Sequence, residues 1–133
     1  MALGEIHPLK AIQLTTLDSE RGVYPQPGAT YEWPAFTCQG YAWFVGILDA
    51  PAAINDGTTN CPFVVEQGTE LDVPPYDHWT VTNTILINPN VTPPGPVQQF
   101  KIAITGQMIR FSITNDDDTW PLHLYFHAYL RND

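Results

Sequence analysis

The stretch FKIAITGQMIRFSITNDDDTWPLHLYFHAYLR, Phe100–Arg131, decides the fold class. Apolar side chains alternate at Phe100, Ile102 and Ile104, a Thr105-Gly106-Gln107 turn intervenes, and the alternation resumes at Ile109, Phe111 and Ile113. An acidic loop, Asn115-Asp116-Asp117-Asp118-Thr119, stops this second run. A third run puts Leu122, Leu124, Phe126, Ala128 and Leu130 on one face and His123, Tyr125, His127, Tyr129 and Arg131 on the other. Successive side chains of a strand point to opposite faces, so period two over this length predicts half-buried antiparallel sheet. The pattern predicts a β-hairpin over 100–113, followed by one long strand. The second face of that strand is a row of imidazoles and phenols ending in a guanidinium. Such rings combine apolar area with a polar tip, which suits packing against another protein or a flat ligand.

Outward from this stretch, composition narrows the class. A length of 133 residues supports one domain with its own core, and an apolar content of 44% separates the chain from disordered sequences. Thirteen prolines and nine glycines predict many turns and stiff, Pro-rich loops. Five cations, Lys10, Arg21, Lys101, Arg110 and Arg131, stand against 14 acids, a formal net charge of −9. Phosphate recognition needs clustered cations, so nucleic acid and anionic membrane surfaces are not expected partners. A basic protein surface is compatible with this charge. No apolar run approaches the ~20 residues of a membrane span. Met1–Lys10 lack a charged segment followed by an apolar run, so no secretory signal is expected. Cys38 and Cys61 match no zinc spacing; they are either two buried thiols or one disulfide, which would add roughly 3 kcal/mol.

Along the chain, residues 1–8 read as an extended N-terminal arm ahead of a single domain, residues 9–133. Strands are expected at 10–17, 30–37, 41–48, 62–66 and 78–87, then in the closing unit, about eight in all. Pro34 makes the second an edge strand or two short pieces. Turn signals every ten or so residues point to an all-β antiparallel β-sandwich or jelly-roll barrel.

Chemistry finds little footing. The run WPLHLYFH has the spacing of a copper-binding segment in multicopper oxidases, but only His123 and His127 remain as ligands. Four residues along one strand separate them by ~13 Å, too far to share a metal. Asp116–Asp118 lack the alternating ligand spacing of a calcium loop and read as a solvated turn. Asp77 and His78 are adjacent and point to opposite faces, so they form no dyad. There is no nucleophile elbow and no phosphate loop. No catalytic residue, metal ligand or cofactor is expected. Among the aromatics, Trp43 and Trp79 are expected in the core, while Trp33 and Trp120, each beside a proline, are the surface candidates.

The unit IAITGQMIRFSITNDDDTWPLHLYFHAYLR resembles closing segments of tailed-phage head and tail proteins, and by size the chain is most similar to capsid decoration, or cement, proteins. That resemblance implies a homotrimer of β-barrels on the exterior of the virion, clamping the major capsid protein of an icosahedral shell. The residues themselves suggest where such contacts would lie: on the arm, at Leu3, Ile6, His7 and Pro8, at Trp33 and Trp120 beside their prolines, and on the ring-bearing face at His123, Tyr125, His127 and Tyr129. The alternative is a carbohydrate-binding β-sandwich module that stacks sugars on exposed Trp and Tyr rings.

Overall fold

The computed structural model describes residues 22–70, 77–90 and 93–132. The expected arm and the expected strand at 10–17 lie outside the described residues. The described residues form seven strands: β1 Thr30–Thr37, β2 Trp43–Asp49, β3 Cys61–Glu70, β4 Asp77–Ile87, β5 Val97–Ala103, β6 Met108–Thr114 and β7 Tyr125–Arg131. One 3-10 turn, Ala52–Ile54, is the only helical element among the described residues. The strands form a four-stranded sheet, ordered β1-β6-β3-β4, and a three-stranded sheet, ordered β5-β2-β7. Every pairing is antiparallel. The architecture is therefore a β-sandwich, and its described strands do not close into a barrel.

The expected hairpin over 100–113 does not form. β5 pairs with β2, and β6 pairs with β1 and β3, so the chain changes sheets at Thr105–Gln107. Alternation reports which face of a strand is buried but not which strand it bonds to, and the two inner faces meet across the core instead of edge to edge. Gln67 holds the crossing. Its Oε1 accepts the backbone N–H groups of Thr105 at 2.6 Å and Gly106 at 3.0 Å, and its Nε2 donates to the Ala103 carbonyl at 2.9 Å. The side chain is 4% exposed, so each of these bonds spares a polar group from burial without a partner.

Two bulges reassign the tryptophans. Trp33 pairs with Phe111, but Phe36 pairs with Ile109, so β1 carries one extra residue around Pro34-Ala35. The bulge absorbs the proline and leaves Trp33 and Phe36 both facing inward. Trp33 is 3% exposed, with Phe111 and Phe126 each 5.1 Å away between ring centroids. The expectation of a surface Trp33 is corrected: the neighbouring proline marks a bulge, not an exposed side chain. A second irregularity lies where Val65 pairs with Asn83 and Glu66 with Val81. It shifts the parity of β4. Ile85 and Ile87 face the core, whereas Trp79, which strict alternation would put beside them, lies half-buried over Gly68 with Arg110 4.2 Å above its ring. Trp43 is also half-buried, on the outer face of β2. Neither is the core residue the sequence suggests.

The core is an aromatic cluster between the sheets: Trp33, Phe44, Phe63, Phe111 and Phe126 are buried, with Phe36 and Phe100 packed against them. Each buried Phe contributes about 1.5–3 kcal/mol relative to exposure. Gly46 on β2 makes room for it, because a Cβ there would meet the His127 carbonyl and the Ala128 Cβ at 2.6 Å. Cys38 and Cys61 are separate buried thiols. Burial pushes the Cys38 thiol up to about 11 and raises that of Cys61 as well.

Candidate functional site

β7 divides as its alternation predicts. Phe126, Ala128 and Leu130 are buried in the core, as are Leu122 and Leu124 ahead of the strand. Tyr125, His127, Tyr129 and Arg131 stand on the outer face of the three-stranded sheet. The pairing with β2 sets Tyr125 opposite Asp49, His127 opposite Ile47, Tyr129 opposite Val45 and Arg131 opposite Trp43. On the other side of β2, the same four residues oppose Val97, Gln99, Lys101 and Ala103 of β5. The outer face is thus a grid of three columns, apolar down the middle and ringed by phenols, an imidazole and cations.

Lys101 bends over the ring of Trp43, its Nζ 4.4 Å from the centroid. Such a cation–π contact holds the ammonium down on the sheet. With Tyr129 opposite, the lysine stem covers Val45, which is only 6% exposed although it points away from the core. His127 and Tyr129 meet edge to face at 6.5 Å. Between these groups lies a shallow depression of about 400 Å³, lined by Val45, Ile47, Lys101, His127, Tyr129 and Arg131. A second, of about 240 Å³, continues along the same face between Asp49 and Tyr125. The face is electrically graded. Lys101 lies at the level of Val45, roughly 13 Å from Asp49 by the strand rise, and Arg131 at the level of Trp43, roughly 20 Å from it.

His123 has the same parity but a different setting. Its ring meets Tyr24 edge to face at 4.5 Å. Its backbone N–H donates to Asn55 Oδ1 at 2.8 Å, and its carbonyl accepts from Asn55 Nδ2 at 3.0 Å. His123 therefore belongs to the loop end of the sandwich rather than to the grid. Trp120 lies at that end too and is 45% exposed, as expected of a surface residue. Leu3, Ile6, His7 and Pro8 fall outside the described residues.

The acidic loop is built, not merely solvated. Asn115 is 1% exposed; its Nδ2 donates to the carbonyls of Pro25 and Trp120, and its Oδ1 accepts the N–H of Asp117. The Asp117 carboxylate accepts the N–H groups of Trp120 and Thr119, each at 2.8 Å, and the hydroxyl of Thr59 at 3.0 Å. These donors, the Trp120 and Thr119 amides first, hold its carboxyl below the usual carboxylate range. Both carboxylate oxygens thus serve the loop itself. Among the described residues, no three His, Cys, Asp or Glu side chains gather as metal ligands would.

Sequence reading locates the β7 row but misses its neighbours Trp43, Val45, Ile47 and Lys101. A signal exists in YAWFVGIL, which is apolar at both parities. A central strand with both faces covered reads that way. No family model matches the chain, and no curated protein matches it.

Proposed function

We propose that this chain is a structural viral protein that docks on the outer surface of an icosahedral capsid and reinforces it, with no catalytic role. The observation that carries this reading is the outer face of the three-stranded sheet: a flat grid with an apolar spine, two tyrosines, a histidine and two cations, continuous over two shallow depressions. Interfaces are rich in Tyr, Trp and Arg around a drier centre, and this face has that composition. The deep polar groups support a scaffold rather than a reaction. Gln67, Asn115 and Asp117 each tie loop backbone in place.

Sugar stacking is the weaker reading. It calls for several open ring faces, and of the four tryptophans only Trp120 stands exposed: the rings of Trp43 and Trp79 each lie beneath a cation, and Trp33 is buried.

The test is co-sedimentation of the purified chain with phage shells stripped of their decoration, set against Tyr125→Ala at matched folded content. Saturable binding by the parent chain and a loss of at least tenfold in the variant is the expected result. No binding to shells, together with retention on a polysaccharide matrix, would replace this reading with the carbohydrate one.

A further inference from the structure

Among the described residues, three charged or ring-bearing surfaces stand out once the core is set aside. Arg110 lies on the outer face of the four-stranded sheet and is bonded to Glu66. The other two stand at opposite ends of the molecule and have opposite character. At one end the Asn115–Trp120 loop displays Trp120 with Asp116 and Asp118, all exposed. At the other, the depression around Lys101, Arg131, His127 and Tyr129 is locally cationic in a chain of net charge −9.

The loop is held ready for contact. The N–H of Trp120 donates to Asp117 Oδ1, and its carbonyl accepts from Asn115 Nδ2, so the backbone is fixed on both sides while 45% of the residue stays exposed. A large aromatic on fixed backbone loses little entropy on binding and is the kind of side chain that anchors interfaces. The depression of about 400 Å³ has room for an indole, with Ile47 in its lining and Lys101 at its rim for a flanking carboxylate. Trp120 cannot reach its own depression. It lies five residues before β7, at the loop end, whereas Tyr129 and Arg131 lie near the strand's far end; the strand from Tyr125 to Arg131 alone spans ~20 Å.

We propose that the Trp120 loop of one copy inserts into the cationic depression of a second copy, head to tail. This rests on reading that face as a docking surface; it assigns the Lys101 depression to a second copy and leaves the Asp49–Tyr125 end of the face to the shell. The contact is heterologous, so repetition closes a ring when the rotation allows and otherwise extends a chain.

The test is sedimentation velocity on the full chain and on Trp120→Ala and Lys101→Glu, with thermal melts to confirm folding. The parent chain should sediment as a multiple of 14.9 kDa, and each variant should associate at least tenfold more weakly. The decisive measurement is the mixture. Trp120→Ala keeps an intact depression and Lys101→Glu keeps an intact loop, so together they form one contact and stop at a heterodimer. A monomeric parent chain at 100-fold above ~1 μM overturns the inference while leaving shell docking to its own co-sedimentation test. Normal association of Trp120→Ala, or a mixture without heterodimer, also overturns it.

Discussion

The two outer faces of the sandwich use similar parts to opposite ends. On the four-stranded sheet, Arg110 lies on Trp79 and bonds Glu66 through Nε at 2.8 Å and a terminal nitrogen at 3.3 Å. Cation, ring and carboxylate satisfy one another there. On the three-stranded sheet, Lys101 lies on Trp43, but the nearest carboxylate on the grid is Asp49, four residues along β2 from the level of Lys101's partner Val45. Among the described residues, Lys101 makes no ion pair. A cation over an indole therefore does not by itself mark a binding surface. What distinguishes the second face is that its charge is separated along the sheet.

The largest effect should come from removing what both faces share. Phe126→Ala takes a ring away from Trp33, Phe63 and Phe111 and should cost about 3–5 kcal/mol, read by urea denaturation. Gly46→Ala separates the sheets more sharply. Its new Cβ would overlap Phe100 at 2.8 Å as well as the backbone of β7, so about 2–3 kcal/mol is expected, with hydrogen exchange rising first in β2, β5 and β7. Equal exchange in both sheets would show that they open together.

Asp117→Asn tests the loop that joins the sheets. The folded carboxyl is depressed, so its stabilisation is fully present above the unfolded value of ~3.9 and disappears as pH falls through the lower folded value. The variant should lose about 1–2 kcal/mol at pH 7 and show a shallower fall in melting temperature below pH 4 than the parent chain. An unchanged acid profile would mean that this carboxylate is not what anchors Trp120.

Arg110→Ala and Lys101→Ala bring the comparison to its finest scale. The Arg110–Glu66 pair is substantially exposed, at 42% and 27% of the side chains, so its removal should cost no more than about 1 kcal/mol. Lys101→Ala should change stability by under about 0.5 kcal/mol, yet weaken association with whatever occupies the depression. The reverse order of effects on association would move the functional face to the four-stranded sheet.

Much of this was legible from residues alone. The faces of β7 and the edge position of β1 follow from alternation and from Pro34, because both are local consequences of pleat and missing N–H. The strand partners did not follow. The crossing of the chain from β5 to β6 is held by Gln67, 38 residues from Thr105 in sequence, and so leaves no local signal. Trp79 escapes the pattern for a related reason: one extra residue in β4 inverts every parity beyond it. Trp43 escapes it because β2 is apolar at both parities, and Trp33 because a proline beside it marks a bulge as readily as an exposed turn. The β2 and β5 members of the grid are assembled by pairing, so they become visible only once register is known.

Gln67 has one more consequence, in the time domain. Thr105 is exposed, and a bend at the surface would ordinarily exchange its amide hydrogen within seconds. Here the amides of Thr105 and Gly106 are both held by a side chain rooted in the middle of β3, bonded on either side to β4 and β6. Their protection is therefore set by the opening of the central strands rather than by the bend itself. Two slow amides at this corner would act as a clock for the whole four-stranded sheet, readable where solvent can reach it.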